Sequence, residues 1–330
     1  MQTHEPAMHP DVVALVRAIR ESGRPPFEAL TPDAAREAYS AGRAALQPPP
    51  DPVAEVRDLA APGEAGPVPL RLYRGAGTDP AVLLPCLLYL HGGGWMLGNL
   101  DSHDGICRRL ANGAGACVIA VDYRLAPEHP FPAALNDAAA ALAYVAAEAG
   151  SLRVDPARLA VGGDSAGGNL AAVLALMGRD GTLPRSVFQL LLYPVVDLAM
   201  TGDSYARVTD GVPITAATMR WFVDHYAPDP DTRDHWHAAP LRAGSLAGAP
   251  PAFVLTCTHD PLRDEGRAYA ARLEREGVPV TALHLSDQMH GILTMGRAIG
   301  ATAPVLAFAA AALREAWRSA AGEPVPSDIR

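Results

Sequence analysis

Short apolar runs alternate with helical patterns over most of the chain, and this rhythm constrains the fold more than any other feature. Cys86–Leu90, Ala116–Val121, Arg158–Val161, Phe188–Leu192, Ala252–Thr256 and Val280–His284 are too short for helices. They are near-continuously apolar, as strands covered on both faces of a parallel sheet are. Helical patterns at Pro132–Ala149, Ala166–Met177, Asp264–Glu276 and Ala303–Ala320 each follow such a run, as crossover helices must. Val53–Leu59 and Val68–Tyr73 alternate apolar and polar residues, which predicts an antiparallel pair that opens the sheet. The expected architecture is therefore α/β: a mostly parallel sheet of eight strands with helices on both faces.

Two stretches break the rhythm. Residues 1–48 are helical with proline breaks, and residues 198–245 are polar, proline-rich and carry Met219, Trp221 and Phe222. Both are expected in a small helical lid over the carboxyl edge of the sheet, with Gln47–Pro52 as a linker.

Composition removes several classes of function. The formal charge is -9 and no arginines cluster, so no nucleic-acid partner is expected. All 27 basic residues are arginine, which excludes Schiff-base, pyridoxal and phosphate-loop chemistry that requires a lysine amine. Met1–Pro10 lacks the features of a secretory signal, and no apolar segment approaches the ~20 residues of a membrane span. The four cysteines form no Cys-x-x-Cys pair, and Cys86, Cys117 and Cys257 lie in strand-like runs, as reduced core thiols of a cytoplasmic protein would.

Three motifs carry chemistry. Gly163-Asp164-Ser165-Ala166-Gly167 follows a strand and opens a helix, the context of a nucleophile elbow that lifts the Ser165 hydroxyl above the sheet. His91-Gly92-Gly93-Gly94-Trp95 follows another strand, and its glycines free backbone N–H groups to face a ligand. Gly92 and Gly93, with the N–H of Ala166, are the expected oxyanion donors, while His91 and Trp95 brace the loop. The chain order Ser, acid, His places the base at His290 in Met289-His290-Gly291 and the acid at Asp260 in His259-Asp260-Pro261. The rivals are weaker. His284 lies inside a strand pattern, His259 abuts the acid, Asp264 suits a helix cap, and His235-Trp236-His237 lacks a third metal ligand.

With these residues in place, the sequence resembles the hormone-sensitive lipase family of carboxylesterases, within the α/β-hydrolase superfamily. The resemblance rests on His91–Trp95, Asp122-Tyr123-Arg124-Leu125-Ala126-Pro127-Glu128, Gly163–Asn169, Tyr193-Pro194, Asp260–Gly266 and His290-Gly291, in order over residues 55–295. It implies a triad of Ser165, Asp260 and His290, oxyanion donors at Gly92, Gly93 and Ala166, and a lid from both misfit stretches. The chain then divides into a lid part at 1–48, a catalytic part at 49–197, a lid insertion at 198–245 and a second catalytic part at 246–330. Ile292 departs from the Phe that relatives often carry after His-Gly.

The expected reaction is hydrolysis of small-molecule esters with short to medium acyl chains through an acyl-enzyme, with no metal or cofactor. An amidase, deacetylase or lactonase using the same triad, or a non-catalytic binding protein of this fold, are the alternatives. Trp95, Met96, Trp221, Phe222 and Ile292 are candidate pocket residues. Val280–His284, as an edge strand, offers a surface for a possible homodimer.

Overall fold

The computed structural model describes residues 6–323. Residues 1–5 of the expected lid and 324–330 of the expected second catalytic part lie outside the described residues.

The strands are β1 Glu55–Gly63, β2 Gly66–Arg74, β3 Leu84–Leu90, β4 Cys117–Val121, β5 Val154–Asp164, β6 Phe188–Leu192, β7 Ala252–His259 and β8 Val280–Met289. They form one eight-stranded sheet in the order β1-β2-β4-β3-β5-β6-β7-β8. β2 runs antiparallel to both β1 and β4, and β4 and β3 to β8 are mutually parallel. The expected antiparallel opening and parallel centre are both present. β8 ends the sheet as an edge strand.

The helices are α1 Pro10–Glu21, α2 Pro32–Leu46, α3 Asp104–Ala114, α4 Ala133–Ala147, α5 Ala149–Leu152, α6 Ala166–Arg179, α7 Asp203–Arg207, α8 Ala216–Tyr226, α9 Arg263–Arg275 and α10 Thr302–Ala320. Each face of the sheet has its own core. Cys86, Leu88 and Leu90 of β3 join the cluster containing residues of α4, α6 and α9. Leu87 and Tyr89, pointing the other way, join the cluster containing residues of α3 and α10. This double burial is why the strand sequences read as unbroken apolar runs. α3 was not expected. Its buried Ile106, Cys107, Leu110, Ala111 and Ala114 keep helical spacing, but Gly105, Asn112 and Gly113 depress the propensity that would have marked it.

The carboxyl ends of the parallel strands carry the residues of interest. The glycine loop follows β3, Ser165 follows β5, Asp260 follows β7, and His290 follows β8. In open α/β sheets this edge is where ligand sites are built.

Candidate active site

The turn from β5 into α6 is strained and crowded. Ser165 sits at φ 56° and ψ -118°, a conformation that side chains other than hydrogen rarely adopt. A Cβ on Gly163 would stand 2.2 Å from the Leu90 carbonyl oxygen, and one on Gly167 1.9 Å from the same atom. The glycines on either side of the serine are thus a packing requirement of the turn against β3.

Three residues from three loops meet there. Ser165 Oγ lies 2.9 Å from His290 Nε2, and His290 Nδ1 lies 2.8 Å from Asp260 Oδ2. Asp260 is fully buried, and its other oxygen accepts the Leu262 N–H at 2.8 Å, which fixes the carboxylate in position. The rivals are occupied elsewhere. Asp264 accepts the Ser204 N–H and pairs with Arg263, tying α9 to α7, and these contacts outweigh burial to lower its carboxyl pKa. His284 is held between Thr256 and Thr258 at 2.8 and 3.0 Å. The His235 and His237 rings meet edge to face, and among the described residues no third metal-ligating side chain joins them.

The glycine loop requires one correction. The N–H of Gly92, expected to face an oxyanion, is donated at 3.0 Å to Oδ1 of Asp164. Asp164 also accepts the Tyr89 hydroxyl at 2.7 Å and lies 3.3 Å from His103 Nε2. Burial works to raise its carboxyl pKa, yet His103, Tyr89 and the Gly92 N–H outweigh burial and hold it down to about 2. The ionised carboxylate therefore claims Gly92 and locks the loop to the residue before the nucleophile. Among the described residues, nothing accepts the N–H of Gly93 or Gly94, and both line the cavity beside Ser165. Ala166 opens α6, where first-turn N–H groups have no intrahelical partner.

The rest of the loop is braced from behind. The Tyr123 ring stacks on His91 at 4.3 Å and its hydroxyl donates to the His91 carbonyl at 2.6 Å. Burial and the neighbouring His103 push His91 down to about 3, so it stays neutral. The Trp95 ring is fully buried and stacks on Tyr226 at 4.0 Å.

Both misfit stretches contribute to the wall of this site. Phe27 and Tyr39 come from the first, and Ile214, Met219 and Phe222 from the second; with Leu97 and Thr294 they line the cavity around Ser165 and His290. The stretches are joined where the Thr218 hydroxyl donates to Glu28 at 2.8 Å. The free volume beside Ser165 is about 20 Å³, room for roughly one water. Gly94 admits the Phe222 ring, because a Cβ there would lie 2.2 Å from it. Of the expected pocket residues, Phe222 lines this cavity and four do not. Trp95 points to Tyr226. Met96 is buried, with its carbonyl held by Arg36 at 3.0 Å. Trp221 packs on Phe222 and His225, and Ile292 lies in the core shared with α10. Tyr39 and Arg43 of α2 also line the cavity, although in the sequence they read as positions of an ordinary amphipathic helix.

The chain also resembles known proteins. Residues 87–294 match the family model for the α/β-hydrolase fold. The chain is 40% identical to the esterase LipI of Mycobacterium tuberculosis over 87% of this chain and 88% of that one. It is 39% identical to the ethyl acetate hydrolase of Pseudomonas putida over 89% and 94%. Among solved structures, an ester hydrolase from the metagenome of Lake Arreo superposes with a TM-score of 0.89 at 40% identity, covering 93% of this chain and 98% of that one. A thermostable esterase from Pseudomonas putida gives 0.91 at 35% identity, covering 96% and 99%. The chain belongs to the α/β-hydrolase fold family and is a carboxylic ester hydrolase of its hormone-sensitive lipase group.

Proposed function

We propose that Ser165 is the nucleophile, His290 its base and Asp260 the residue that orients and stabilises the imidazole. The observation that carries this is the unbroken relay from Ser165 Oγ to His290 Nε2 at 2.9 Å and from His290 Nδ1 to Asp260 at 2.8 Å. Ser165 attacks the ester carbonyl as His290 takes its proton, and the developing oxyanion is held by the N–H groups of Gly93, Gly94 and Ala166. His290 then protonates the departing alcohol. Water, activated by the same imidazole, attacks the acyl-enzyme, and the carboxylic acid leaves with Ser165 restored.

Residues 6–48 and 198–245 act as a cap over a body formed by 49–197 and 246–323. The tight cavity and the apolar wall of Ile214, Met219 and Phe222 support short to medium acyl chains as substrates. No described helix is long and apolar enough to cross a membrane. Four free, buried cysteines support a reducing compartment such as the cytoplasm. The open edge of β8 favours a homodimer through strand pairing, which the solution mass would reveal.

The test is hydrolysis of p-nitrophenyl esters of increasing acyl length by the wild type and Ser165→Ala. The expected result is turnover of short esters, falling as the chain lengthens, and a loss on the order of 10⁴ or more in the variant. Ester turnover undiminished in Ser165→Ala would refute the assignment.

A further inference from the structure

Arg43 is a cation in the cavity wall beside the triad, and among the described residues no carboxylate pairs with it. It lies in the last turn of α2 and lines two spaces at once: the cavity next to Ser165 and His290, and an open groove of about 870 Å³ that also contains Arg297. Its Nε is buried and makes no hydrogen bond, and its guanidinium lies 4.5 Å from the Tyr39 ring centre. Tyr39 cannot neutralise it, because burial raises the phenol pKa despite the nearby guanidinium.

Neighbouring arginines differ. Arg36 pairs with Glu128, Arg71 with Asp58 and Asp101, and Arg108 with Asp104. Among the described residues no carboxylate pairs with Arg43. The Asp164 carboxylate on the same cavity wall is already committed to Tyr89, Gly92 and His103. A basic residue in a last turn is favoured by the helix dipole, which explains an arginine at this position but not its course into the cavity. Arg43 is half-buried, with its Nε shielded and the rest of its guanidinium within reach of the open groove, so a ligand anion entering the cavity would meet a cation that no carboxylate already balances.

We infer that the site takes small esters carrying a carboxylate a few atoms from the scissile carbonyl, with Arg43 binding that carboxylate. The inference rests on the proposed site at Ser165 and specifies its substrate class. The open groove is also lined by Arg71 and Arg108, paired with Asp101 and Asp104, and by Arg297, which adds a second positive charge beside Arg43.

A matched pair of substrates tests it: p-nitrophenyl butyrate and p-nitrophenyl hemisuccinate, which differ chiefly in a terminal methyl against a carboxylate. Arg43→Gln is expected to lower kcat/KM for the hemisuccinate by roughly tenfold or more, mainly through KM, and to leave the butyrate within about threefold. Arg43→Lys should restore part of the loss, since it keeps the charge. Equal losses on both esters would overturn the inference and make Arg43 a general support of the site; so would an unchanged hemisuccinate rate. Calorimetric binding of monomethyl succinate to Ser165→Ala protein, with and without Arg43→Gln, separates this inference from the triad. Binding that depends on Arg43 supports it whatever the fate of Ser165 as nucleophile, and binding indifferent to Arg43 refutes it.

Discussion

The turn that carries Ser165 and the cap above it line one cavity but are held by different physics. The turn is fixed sterically. Its backbone passes so close to β3 that residue type at Gly163 and Gly167 is dictated by the Leu90 carbonyl, and the buried Asp164 ties it to the glycine loop. The cap is held by apolar side chains that join the core, Tyr39, Met219, Phe222 and Tyr226 among them, and by polar anchors between elements distant in sequence. Arg36 of α2 grips the Met96 and Ala126 carbonyls at 3.0 and 2.9 Å and pairs with Glu128, while Glu28 holds Thr218 of α8. Substitution in the turn therefore meets backbone, whereas substitution of a cap side chain changes the cavity wall.

That contrast can be broken by substitution. Asp260→Asn should lower kcat by a factor on the order of 10³–10⁴ with the fold intact, because the amide favours the wrong imidazole tautomer; steady-state kinetics and circular dichroism would check both parts. Gly167→Ala should cost at least ~4 kcal/mol in denaturant unfolding, since its new methyl collides with backbone that cannot yield. A cap change should act on specificity instead. Phe222→Ala should improve relative kcat/KM for longer acyl chains by about tenfold, and Trp221→Ala should stay within about twofold, because only the first ring lines the cavity. Equal effects of the two would mean that the cap shapes no pocket.

Glu265 gives the smallest effect and a test at the join between the two regions. Buried in α9, it accepts the Val196 and Asp197 N–H groups and the Tyr205 hydroxyl, and burial raises it to about 8 despite these bonds. The folded protein therefore holds a proton that the unfolded chain releases near pH ~4.5. By linkage, this group's contribution is fully present below that value and is lost as pH rises through about 8. Glu265→Gln should flatten the fall in melting temperature between about pH 5 and 8, and an unchanged slope would place the dependence elsewhere.

Much of this architecture was legible in the sequence because burial on both sheet faces writes itself as apolar runs, and because the order Ser, acid, His picks three residues that the fold brings into contact. What stayed hidden depends on contacts across the chain. Which of the three adjacent glycines has its N–H taken is decided by the Asp164 carboxylate, 72 residues from Gly92. Trp95 and Met96 adjoin the loop in sequence, yet at Trp95 the backbone turns to φ 58° and sends the ring toward Tyr226 rather than substrate. Arg43 reads as a solvated helix residue until α2 is laid over Ser165.

The central claim is that Ser165 becomes acylated. Reaction with a fluorophosphonate probe, followed by digestion and peptide mass mapping, tests it directly. One adduct is expected, on the peptide bearing Ser165, formed much more slowly in Asp260→Asn. An adduct on another residue, or none from protein that still hydrolyses esters, would contradict it.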